Sequence, residues 1–110
     1  MYNEFLTWSD AQISACTSKQ KLLAADNRQD EASFMQIRAN VYGIFRAVWT
    51  AVKGDLTVFM TKLTSIPAVW EQSLQLARQH GDDHKACIEQ IKLETADDIR
   101  RHIKEAIPDD

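Results

Sequence analysis

The sequence predicts an all-α fold, an antiparallel up-and-down bundle of four helices. Three observations carry this: apolar residues recur at helical rather than alternating spacing, Gly and Pro are scarce, and strong turn signals fall at nearly even intervals. Three Gly and two Pro in 110 residues are too few for an all-β chain that turns every ten residues or so. The whole chain, 1–110, reads as one helical-bundle domain, with no internal repeat, linker or low-complexity segment. At 45% apolar and 26% charged residues it can bury a core without a disulfide or metal.

The first segment runs from about Asn3 to Ala25 and places Tyr2, Phe5, Leu6, Ile13, Cys16 and Leu23 on one face. Asp26-Asn27-Arg28-Gln29-Asp30 is a polar turn, with Asp30 as the expected N-cap of the second segment and Glu31 in its first turn. The second segment collects Phe34, Ile37, Val41, Ile44, Phe45, Val48 and Val52 on one face. Gly54 then reads as a stop and Asp55 as a new N-cap.

In the third segment Leu56, Phe59, Met60, Leu63, Ile66, Trp70, Leu74 and Ala77 share an arc of about 120° at the ideal helical turn. That phase continues across Pro67, although proline inside a helix costs about 3 kcal/mol. The third helix is therefore expected to be kinked or broken near Pro67, in near-collinear pieces. Gln79-His80-Gly81-Asp82-Asp83 ends it and caps the fourth, which runs to about Ala106 with Ile88, Ile91, Ile99, Ile103 and Ala106 inward. Lys85/Glu89 and Asp97/Arg101 are spaced to pair on its outer side, and Pro108-Asp109-Asp110 reads as a tail. The alternative is three long helices, the second continuing through Gly54 to about Leu63.

The second segment is unusual. Opposite its apolar face lie Ala32, Gln36, Ala39, Asn40, Gly43, Ala47, Thr50 and Ala51, none of them charged. Ala39, Gly43, Ala47 and Ala51 recur every fourth residue, a ridge that lets another backbone approach closely. Either another helix of the same chain covers this ridge, or it is a contact with a partner helix or with a second copy in a homodimer.

Chemistry-bearing patterns are sparse. There is no Glu-x-x-His of the di-iron bundles, no Gly-rich phosphate loop, no G-x-S-x-G and no H-E-x-x-H. His80, His84 and Cys87 are spaced like metal ligands, but Gly81 interrupts their face, so no metal or cofactor is expected. Asp98 and His102, at i and i+4, are a weak candidate for an oriented imidazole in a ligand pocket, with a rim ion pair as the simpler account. Arg38 projects beside Phe34, Tyr42 and Phe45, where its stem can lie on apolar surface while the guanidinium reaches water. Trp8, Trp49 and Trp70 read as core or rim packing.

A net charge of −3 with scattered basic residues argues against nucleic-acid binding, and no apolar run is long enough to span a membrane. The start of the chain lacks a signal-peptide pattern, and two unspaced cysteines suit a reducing cytoplasm. The expected function is that of a non-enzymatic self-association or protein-interaction module. The alternative is a small-ligand-binding bundle or enzyme with an inter-helix pocket near Arg38 or His102.

Overall fold

A computed structural model describes residues 2–106, so the expected tail of Pro108, Asp109 and Asp110 lies outside the described residues. Four helices are found: α1 (Tyr2–Ala25), α2 (Gln29–Ala51), α3 (Leu56–Gln79) and α4 (Asp83–Ala106). There is no strand among the described residues, and no helix is long and apolar enough to cross a membrane. The three-helix alternative fails at residues 53 and 54, where Lys53 and Gly54 both take positive φ.

All three turns close in one way. A residue in the left-handed region (Asn27, Lys53 or Gly81) is followed by an N–H that reaches back to a carbonyl in the last helical turn. These bonds run from Arg28 to Leu23, Gly54 to Trp49 and Asp82 to Ala77, at 2.9, 3.1 and 2.8 Å. Gly54 is required twice over, because a Cβ there would meet the Tyr2 ring at 2.8 Å. Asp55 caps α3 by accepting from the Val58 N–H, and Asp82 accepts from the Lys85 N–H at the start of α4. Asp30 is not the cap of α2. The turn at Asn27 ends sooner, the helix restarts at Gln29 behind Arg28, and Asp30 and Glu31 lie in its first turn.

The α3 helix is not broken at Pro67. Proline has no N–H to give the carbonyl four residues earlier, which is that of Leu63. The missing donor comes from α4, where Arg100 Nη2 donates to the Leu63 carbonyl at 2.9 Å. One side chain thereby satisfies the group that Pro67 leaves unpaired and ties α4 to α3.

Within each antiparallel hairpin, α1 packs on α2 and α3 on α4. Backbone approach between the hairpins comes chiefly from α2 and α4, which run parallel, and no Cα of α1 lies within 8 Å of α3 or α4. The core concentrates where α1 and α3 begin and α2 and α4 end. Phe5, Phe45, Trp49, Phe59, Leu63, Ile99 and Ile103 are all but completely buried there.

Several inward expectations shift by part of a turn. Tyr2 and Ile44 are exposed by 37% and 40%, and Ala106 is also exposed. Neither expected surface pair on α4 forms. Glu89 turns inward and pairs with Lys92, 3.1 Å away, while Asp97 pairs with Arg100. Arg100 is the nearer partner of Asp97 while its head also turns to the Leu63 carbonyl of α3, and Glu89 is buried where Lys85 does not follow.

Replacing Arg100 with Ala should cost about 1–3 kcal/mol, the usual penalty for a buried carbonyl left unpaired. In a Pro67→Ala background the restored N–H makes Arg100 largely dispensable, so the cost shrinks. Urea unfolding of the four-member mutant cycle measures this coupling. Equal costs in both backgrounds would contradict it.

Candidate functional site

Two places gather the residues singled out in the sequence. The first is the ridge of small residues on α2. Ala32 and Ala39 are buried, on the side where the Arg46 guanidinium reaches Asp10 of α1 at 2.7 and 3.2 Å. Beyond Ala39 the cover ends. Gly43 is half-buried, and a Cβ built on it would find no atom within 4 Å beyond its chain neighbours and the backbone of its own helix. Ala47 and Ala51 are exposed.

Of the two alternatives for the ridge, cover by a helix of this chain holds at Ala39 only. The α1 helix continues alongside α2 to Trp49 and Gly54, but an i, i+4 ridge turns about 40° per step around the helix and so winds out from under it. Gln36 donates to the Asn40 side chain at 2.9 Å along the open strip, and Ile44 borders it. From Gln36 through Asn40, Gly43, Ile44 and Ala47 to Ala51, this strip carries no charge.

The second place is a cleft of about 240 Å³ between α1 and α4, lined by Trp8, Gln12, Asp98, Arg101, His102 and Glu105. Helical spacing brings Asp98, Arg101, His102 and Glu105 onto one side of α4. Trp8 comes from α1 and lies flat on the His102 ring, with centroids 3.9 Å apart and planes 7° apart. Tyr42 of α2 meets Trp8 edge-on and donates its hydroxyl to Asp98 Oδ2 at 2.6 Å. Tyr42 is buried, and that burial together with the Asp98 carboxylate raises its pKa well above the ordinary phenol value. The phenol stays a donor and fixes the Asp98 carboxylate as its acceptor.

Arg38 stands apart from the cleft. Its guanidinium pairs with Glu94 at 3.3 Å, one turn along both α2 and α4 from the Tyr42–Asp98 contact. It is part-exposed, so the pair is worth about 0–1 kcal/mol. Burial raises the Cys16 thiol pKa, with Arg38 and Lys19 opposing. His80, His84 and Cys87 are all exposed around the α3–α4 turn. No group of three or more His, Cys, Asp or Glu is placed to hold a metal among the described residues.

Asp98 and His102 thus share a cleft, and Arg38 does not line it. Trp8, Tyr42, Gln12, Arg101 and Glu105 were not anticipated there. Glu105 could have been read from its i+7 spacing to Asp98, but Trp8 and Tyr42 arrive from other helices and leave no local signal. Comparison with family models, curated proteins and solved structures finds no match for this chain.

Tyr42→Phe should cost about 1.5–3 kcal/mol in urea unfolding, since the lost bond is to a charged acceptor. A raised native pKa gives stability that is whole below the ordinary phenol value and lost as pH rises past it. The difference between wild type and Tyr42→Phe should therefore shrink in alkaline buffer. A difference that is constant with pH would contradict the bond.

Proposed function

We propose that this chain is a non-enzymatic self-association module that joins a second copy of itself through the open strip of α2. The observation that carries the reading is Gly43. It costs about 1 kcal/mol relative to alanine in a helix interior. No side chain and no other helix comes within 4 Å of where its Cβ would stand, its chain neighbours aside, and its backbone is not in the left-handed region. A second helix crossing there would use the missing side chain, as small residues on a ridge let backbones come close.

The strip is suited to meeting its own copy across a two-fold axis. Being uncharged, it carries no like-charge repulsion into the contact although the chain bears a net charge of −3. Exposed Gln36 and Asn40 supply amide donors and acceptors, and Ile44 supplies apolar area. A helix from a different protein is the variant of this reading in which the partner is not identical. The cytoplasm is the setting that fits, with Cys16 and Cys87 both free thiols, and neither nucleic acid nor a membrane enters as partner.

A second reading, small-ligand binding, is favoured by the cleft at Trp8 and His102, where a buried phenol fixes a carboxylate at the wall. Its test is a fragment screen followed by the Trp8 indole N–H resonance. A resonance unmoved by every fragment counts against it.

Light scattering over a concentration series should give a species of twice the 12.6 kDa chain mass. Gly43→Leu should return it to one chain mass with helicity intact, because the space outside Gly43 is open in the single chain. Gly43→Ala should weaken association too. A wild type that stays at one chain mass, with Gly43→Ala more stable by about 1 kcal/mol, would contradict the reading.

A further inference from the structure

His102 stands between two recesses where α1 meets the end of α4. On one side is the polar cleft, and on the other a smaller recess of about 110 Å³ lined by Glu4, Phe5, His102, Ile103 and Ala106. The imidazole is the side chain that the two share. Phe5 and Ile103, at the back of the smaller recess, are 2% and 1% exposed. Since the α1 backbone stays more than 8 Å from α4, side chains alone close this seam.

The present position of His102 suits a neutral ring. Flat on the Trp8 indole, it buries an apolar surface, and neither ring nitrogen has a hydrogen-bond partner among the described residues. An imidazolium has two N–H donors to satisfy. The groups that face it are Asp98, Arg101 and Glu105 on its own helix, and Glu4, Trp8 and Gln12 on α1. From α2, Tyr42 acts through Trp8 and Asp98.

Burial lowers the His102 pKa below the ordinary imidazole value and outweighs the pull of Asp98 and Glu105 in the other direction. The indole face also attracts a cation, but it accepts neither N–H in the flat arrangement. Asp98, one turn earlier, and Glu105, three residues later, line the same cleft and are the carboxylates whose charge acts on the ring. The Asp98 carboxylate retains lone pairs beyond the one Tyr42 uses.

We propose that His102 is an acid-operated partition: neutral, it lies on Trp8 and keeps the two recesses apart, and protonated, it turns to Asp98 and Glu105 and joins them. The proton favours the turned state because there the charged ring meets the Asp98 and Glu105 carboxylates in place of the indole face, which is the differential interaction such a shift requires. Acidification then opens the recess at Phe5 and Ile103 and releases the stacking contact between α1 and α4, leaving the aromatic cluster around Trp49 to hold α1. Stability follows the same proton: the contribution is whole above 6.5 and declines as pH falls through that value toward the native pKa.

The experiment is a pH titration by NMR of the full chain carrying His80→Gln and His84→Gln, which leaves His102 as its one histidine. At neutral pH the His102 ring protons should be shifted upfield by the indole 3.9 Å away. The midpoint should fall below 6.5, the upfield shift should vanish along the same curve, and the Val41 and Ile99 methyl signals should not move. Asp98→Asn removes a landing carboxylate, so its midpoint should drop further. A midpoint at or above 6.5 would overturn the proposal. So would an upfield shift that survives protonation, or core methyls that collapse together with it.

Discussion

The fold depends on the packing of Trp49 against Phe5 and Phe59. The three rings come from α2, α1 and α3, and their centroids lie 5.0–5.2 Å apart in tilted or edge-on pairs. Phe45 extends the cluster to Phe59 and to Trp70, each at 6.2 Å. Aromatic pairs of this kind add about 0.5–1.5 kcal/mol each beyond the area they bury. Trp49 is fully buried, and its indole N–H still finds an acceptor, the Tyr2 carbonyl at 3.0 Å. This matters because the α1 backbone touches only α2. The aromatic cluster and the Trp8–His102 stack are how α1 is held to the other hairpin.

The α4 helix is held differently. Two rungs, Arg38–Glu94 and Tyr42–Asp98, join it to the parallel α2, and Arg100 joins it to α3 at the carbonyl that Pro67 leaves without a donor. Polar contacts thus set the register of α4, while apolar packing fixes its depth through Ile99 and Ile103. Packing of α2 by three neighbours on one side has a consequence for its far side. The strip through Gly43 is left over when the chain has satisfied its own core.

Much of the architecture is legible in the residues. Apolar spacing located four helices, and Gly54-Asp55 and Gly81-Asp82 marked two of the turns with their caps. Asn27 was less readable, because a non-glycine residue in the left-handed region leaves little trace in composition. The continuity of α3 depended on Arg100, 33 positions beyond Pro67 in sequence, and no local pattern announces such a donor. The same limit explains the cleft: i, i+4 spacing joined Asp98 to His102, but only tertiary packing brings in Tyr42 and Trp8. The ridge on α2 was visible as a pattern, whereas which of its residues α1 would cover was not.

That leftover strip is the centre of the functional account, and a distance between copies tests it most directly. A nitroxide at Thr50→Cys, at the edge of the strip, in a chain with Cys87→Ser, reports on α2 alone because Cys16 is buried. Helices packed through small residues lie about 8–10 Å apart axis to axis, so the account predicts a strong, narrow dipolar coupling between two labelled copies. Diluting with unlabelled chain should remove it. Absence of any inter-copy coupling at high concentration, or a broad distribution of long distances, would contradict the account.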